Sequence, residues 1–279
     1  MRITKRQLLR LIKESIEDSQ NLSYFGEGIM LLSQTVDIDQ MPEQHQIGWL
    51  EKNCDLSQLG YGGFRNVFAL NNMPDLVVKV AYTYSSGYKG MGRKMNMSEV
   101  ALFNQHPDVF PRVYAYDKKQ GNWFVADRAK TIDSGEDLGR VAIKLYSSFS
   151  AVARDILSVD SSISQEGINS LLGDMFDDFL RVIPEGDADF DGQYVVDVFK
   201  DFSTWSPGYL ESFDGSFEVL TDLLTDSAYV ERFKMYFESD QKLLTFLSKA
   251  KSLGMNDLGP GNVGTDFGET RLLVLDYQA

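Results

Sequence analysis

The residues best suited to chemistry lie near the end of the sequence. Asp257 and Asn262 stand five positions apart in a Gly/Pro-rich loop, Gly254-Met255-Asn256-Asp257-Leu258-Gly259-Pro260-Gly261-Asn262. A second acid, Asp276, follows the apolar run Leu272-Leu273-Val274-Leu275, long enough for one strand. Phosphoryl transfer uses such parts in this order. An Asp orients or deprotonates the acceptor hydroxyl, and an Asn and a further Asp hold the magnesium ions that bridge the nucleotide phosphates.

Two earlier stretches offer groups that could serve the phosphates. In Leu59-Gly60-Tyr61-Gly62-Gly63-Phe64-Arg65-Asn66-Val67-Phe68-Ala69-Leu70, alternating apolar residues flank a Gly-rich turn, which predicts a β-hairpin. Leu76-Val77-Val78-Lys79-Val80-Ala81 then reads as a strand with a lysine inside it. A buried ammonium needs a partner, whereas an edge-strand lysine would reach water. Glu99 is the candidate partner, on a helix containing Asn96-Met97-Ser98-Glu99. Asn96 and Glu99 also have the spacing of a capping box, in which Glu99 would serve only the helix N-terminus.

The ordered set resembles the protein-kinase-like superfamily. On that resemblance Asp257 matches the catalytic Asp, Asn262 the loop Asn, and Asp276 the Asp of the Asp-Phe-Gly motif. Gly60, Gly62, Gly63 and Phe64 match the phosphate-covering loop, with Arg65 where a third glycine is usual and free to add a phosphate contact. Lys79 and Glu99 match the lysine that holds the α- and β-phosphates and its acidic partner, while Asp127 to Ala129 falls at the adenine-binding hinge. The resemblance implies an α+β protein with a β-rich N-lobe, an enlarged α-helical C-lobe and a nucleotide cleft, using ATP and magnesium. It also implies an acceptor hydroxyl on a protein or a small molecule. Met255 and Asn256 replace the His-Arg of most protein kinases, Gly259 stands where many carry a lysine, and Asp-Leu-Gly-Pro-Gly-Asn also resembles the loop of aminoglycoside and choline kinases. Three residues follow Asp276, so the expectation is that activation segment and later C-lobe helices are missing. That departure favours the alternative, a catalytically inactive kinase-like binding or structural protein.

Composition limits the rest. A chain of 279 residues suits one large domain or two lobes. The net charge of −14 argues against nonspecific nucleic-acid binding, which needs a basic face. No apolar run approaches the ~20 residues that cross a bilayer. Cys54 is alone, and His45 and His106 are too few for a His-rich metal site. A cytoplasmic location is expected.

The elements that must position these groups follow from periodicity. Residues 1–20 read as an amphipathic helix, basic first and acidic later. It is either docked or an address for a partner. It is similar to short basic N-terminal helices in proteins of large tailed marine phages, which implies a capsid or host partner through residues 1–18. Residues 21–55 read as a connector with a short helix near Ile47 to Leu50, 56–129 as the N-lobe, and 130–279 as the helical C-lobe. Val141, Ala142, Leu145, Tyr146, Phe149, Val152, Ala153 and Ile156 form one apolar stripe, and Ile168, Leu171, Leu172, Met175, Phe176, Phe179 and Leu180 a second. Both predict helices with a core-facing side that packs around the helix bearing Leu243, Leu244 and Leu247. Asp187 to Gly192 copies half of an EF-hand loop, but Val198 replaces the required glutamate, which favours an acidic turn.

Overall fold

A computed structural model describes residues 22, 24–34, 38–82, 90–185, 194, 197–198, 213, 215–255 and 258–275. The N-terminal helix, the Asp187–Gly192 loop, Asp257 and Asp276 lie outside the described residues. The chain is a mixed α+β protein that divides into two compact units, 1–128 and 129–279. No helix among the described residues is long and apolar enough to cross a membrane.

The N-terminal unit is built on a five-stranded antiparallel sheet of order β1-β2-β3-β5-β4. The strands are β1 (Leu56–Tyr61), β2 (Arg65–Leu70), β3 (Met73–Ala81), β4 (Val113–Tyr116) and β5 (Trp123–Asp127). Strand alternation sends successive side chains to opposite faces. Phe68, Val78, Val80, Trp123 and Val125 join one core with helices α1 (Glu27–Gln34) and α2 (Glu43–Cys54), through Ile29, Leu32, Leu50 and Cys54. Residues 21–55 are therefore more than a connector. Phe25, Ile29, Leu32, Ile38, Leu50 and Cys54 are buried in the core beneath the sheet, which the polar composition of the segment concealed. Lys79 and Phe124 are cross-strand neighbours and point to the other face, toward Phe103 of helix α3 (Met91–Gln105).

The C-terminal unit is mainly helical: α4 (Gly135–Leu145), α5 (Ser147–Val159), α6 (Gln165–Glu185), α7 (Ser216–Thr225), α8 (Ser227–Ser239) and α9 (Gln241–Ser252). The first apolar stripe is two helices rather than one, because Tyr146 is extended at φ −119° and breaks it. One buried carboxylate fixes that break. Asp240 accepts from the Ser148 N–H at 2.8 Å at the start of α5 and from the Leu243 N–H at 3.1 Å at the start of α9. It thereby satisfies orphan donors of two helices at once. Val141, Leu145, Phe149, Phe176 and Leu180 are buried, as are Leu243 and Leu247 of α9. Phe149 stacks edge-on against Phe176 and Phe237, so the helices between 135 and 239 share a core that reaches α9. The unit also holds a small sheet, β6 (Lys130–Thr131), β7 (Val263–Thr265) and β8 (Leu272–Val274), which the sequence did not announce at its two-residue first strand.

Candidate functional site

In the N-terminal unit, β2, β3 and α3 bring three charged side chains together. Lys79 Nζ lies 3.0 Å from Glu99 Oε2, and Arg65 Nη1 lies 2.6 Å from Glu99 Oε1. The side chains are 13%, 7% and 2% exposed in the order Lys79, Arg65, Glu99, so screening by water is weak. Lys79 Nζ also sits 5.7 Å from the Phe124 ring centroid and 5.8 Å from that of Phe103, within cation–π range. This geometry settles two open alternatives. Lys79 is on the central strand of the sheet, not an edge strand. Asn96 is in the middle of α3, whose N-cap is Gly90, and its amide donates to the Gly121 carbonyl at 2.8 Å; Asn96 and Glu99 do not form a capping box.

Arg65 departs from the sequence expectation. Its guanidinium turns inward to Glu99 instead of standing ready for a phosphate at the turn. The reason is register: Arg65 pairs with Ala81 and Val67 with Lys79, which places Arg65 and Lys79 on the same face of adjacent strands, beneath α3.

The Gly-rich turn is anchored at both ends. The Gly62 N–H donates to the Arg65 carbonyl at 2.8 Å, the Tyr82 N–H to the Phe64 carbonyl at 3.0 Å, and the Tyr82 hydroxyl to the Gly62 carbonyl. Gly62 and Gly63 are exposed; Gly60 and Phe64 are half-buried. Among the described residues, no atom comes within 4 Å of a Cβ added at Gly60 or Gly63, and one at Gly62 meets the Arg65 carbonyl oxygen at 3.9 Å. The chain's own packing among the described residues therefore does not demand glycine at these positions.

Asp127 serves the sheet. Its carboxylate accepts from the Arg112 N–H at 3.1 Å and the Tyr114 hydroxyl at 2.8 Å, and its own N–H donates to the Arg112 carbonyl at 3.0 Å. Burial, with the Asp127 bond second, pushes the Tyr114 phenol up. Ala129 is half-buried and opens the C-terminal unit.

In the C-terminal unit, the loop after α9 is held on both sides of Asp257. Met255 and Leu258 are buried. The Gly261 N–H donates to the Ile132 carbonyl at 2.7 Å with Gly261 at φ 91°, a conformation that favours glycine. The Leu275 N–H donates to the Asn262 carbonyl at 2.8 Å. The β7–β8 hairpin thus ties Asn262 to the strand that leads to Asp276. No group of three His, Cys, Asp or Glu side chains among the described residues could hold a metal ion. Of the expected magnesium ligands only Asn262 is described. Cys54, the single thiol, is buried and pushed up to about 11, which makes it a poor nucleophile.

The fold and site define a mixed α+β protein with a glycine-rich hairpin beside a buried lysine–glutamate pair. Comparison of the chain with protein-family models, with curated proteins and with solved structures finds no match.

Proposed function

We propose that the chain is a phosphotransferase of protein-kinase-like architecture that uses ATP and magnesium, with a hydroxyl on a protein or small molecule as acceptor. The observation that carries this reading is the 3.0 Å Lys79–Glu99 pair, set behind a turn whose glycines leave room for a ligand. Glu99 orients the Lys79 amine, and Lys79 binds phosphate oxygens through charge-assisted hydrogen bonds. The turn from Gly60 to Phe64 covers the phosphates, with the Gly62 N–H already committed to the Arg65 carbonyl. Asp257 orients the acceptor hydroxyl, and Asn262 with Asp276 holds magnesium. Magnesium held there would supply neutralisation of the phosphate charge. The antiparallel sheet with α3 on one face, followed by a helical unit, supports the architecture. The same reading locates the protein in a cytoplasm or, through residues 1–18, in a virion.

Calorimetry with ATP tests it. Binding requires magnesium and weakens about tenfold or more in Lys79→Met, the loss of a charged hydrogen-bonding partner being worth ~1.5–3 kcal/mol. In Asp257→Asn, turnover is lost while ATP affinity stays, since the Asp acts on the acceptor. Absence of ATP binding by the wild-type chain would overturn the proposal. It would favour the second reading, a kinase-like binding or structural protein. The observation on that side is Arg65, whose guanidinium at 2.6 Å already meets the Glu99 carboxylate within the fold.

A further inference from the structure

The elements that carry Arg65, Lys79 and Glu99 are all touched by one short segment, residues 38–46. Asp39, only 1% exposed and in the 3-10 turn Ile38–Gln40, forms an ion pair with Arg93, six residues before Glu99 on α3. Gln46, fully buried on α2, donates through Nε2 to the Ala81 carbonyl at 2.8 Å, two residues beyond Lys79 on β3. The same amide donates to the Ile38 carbonyl at 2.9 Å, and its Oε1 accepts from Asn66 Nδ2 at 2.8 Å, next to Arg65 on β2. The start of α3 has no slack either: a Cβ at Gly92 would sit 2.4 Å from the Phe64 carbonyl oxygen.

A buried polar network of this kind adds little net stability over apolar groups of the same shape. Its bonds tie together the parts it joins, although Asn66 Oδ1 and Arg93 Nε have no hydrogen-bond partner among the described residues. We propose that residues 38–46 act as a clamp on α3, with Asp39 and Gln46 as positioning residues that keep the Glu99 carboxylate on Lys79. Its consequence for phosphate binding rests on the function proposed above; the clamp itself lies wholly within the N-terminal unit.

The test uses the full chain and two readouts. The first is the rate at which an acylating reagent modifies the Lys79 amine, followed by mass spectrometry without nucleotide. Asp39→Asn and Gln46→Met raise it about tenfold, a usual size for coupling between sites. Ile29→Val, a core change in α1, lowers the melting temperature without raising it. In a Glu99→Gln background Asp39→Asn adds nothing further, because it acts through Glu99. The reversed pair Asp39→Arg with Arg93→Asp restores slow modification. The second readout is Mg-ATP affinity, which falls in Asp39→Asn in parallel with the labelling. Unchanged Lys79 labelling in Asp39→Asn and Gln46→Met, or equal increments with and without Glu99, would overturn the clamp. Lack of ATP binding by the wild type strikes only the nucleotide reading, since labelling decides the clamp by itself.

Discussion

Replacing Gly173 by alanine sets two physical effects against each other. Gly173 lies inside α6, and alanine is the better helix former there by ~1 kcal/mol. Propensity alone therefore predicts a more stable protein. The tertiary structure predicts the reverse. A Cβ at Gly173 would sit 1.8 Å from the Gly135 carbonyl oxygen on α4, and one at Gly139 would sit 1.8 Å from the Asn169 carbonyl oxygen on α6. Ordinary contact begins at 3.4 Å, so the helices must separate by 3.4 − 1.8 = 1.6 Å if they move along that line. Both colliding atoms are backbone, and no rotamer change relieves them. Separation opens gaps beside Leu138, Val141, Leu145, Leu172 and Phe176, all buried. A gap of ~1 Å already forfeits up to about half of a dispersion contact. Overpacking typically costs ~1–3 kcal/mol, and backbone on both sides puts this site at the upper end. After the propensity gain, a net loss of ~2 kcal/mol remains, or a melting temperature lower by roughly 4–8 °C for a unit of this size. Gly48→Ala in α2 is the control, because no atom of the described residues lies within 4 Å of a Cβ added there. That variant should melt slightly higher. Differential scanning calorimetry on both variants gives the sign, and a Gly173→Ala protein that melts at or above the wild type would refute the reasoning.

Further outcomes follow from the C-terminal unit. Asp240→Ala removes the acceptor for Ser148, its hydroxyl and Leu243, and should cost about 3 kcal/mol in urea unfolding through two lost caps and stranded buried donors; a loss under ~1 kcal/mol would show that water replaces the carboxylate. Glu269 is held by Lys130 and Lys144, whose hydrogen bonds bring its carboxyl from 4.5 down to about 2. A carboxyl depressed in the folded state contributes stability above its unfolded value, and that contribution is lost as pH falls from about 4.5 through about 2. The melting-temperature gap between the wild type and Glu269→Gln should be steady near neutral pH and close across that window. A gap independent of pH would mean that the glutamate acts through packing.

Much of the fold was legible in the linear order of residue types. The one-sided stripes from Val141 and from Ile168 are buried as a 3.6-residue period requires, since an apolar face has no stable alternative to a core. A lysine inside an apolar strand, followed by an acid on the next helix, pointed to the Lys79–Glu99 pair by the cost of burying a lone charge. What the linear order did not contain were quantities set by distance between remote segments. Arg65 faces Glu99 rather than the turn because of strand register, and its residue type suits either direction. Residues 22–54 read as polar because their apolar residues come in short clusters such as Ile29-Met30-Leu31-Leu32 and Trp49-Leu50 between polar stretches, and only the sheet gathers Phe25, Ile29, Leu32 and Leu50 into one core. The spacing Gly135–Gly139 was a faint signal for the α4–α6 contact, but its partner Gly173 lies more than thirty residues away. Nothing local distinguishes a glycine that closes a turn from one that lets two helices touch. That distinction belongs to tertiary structure, because it depends on which backbone comes to rest against the missing side chain.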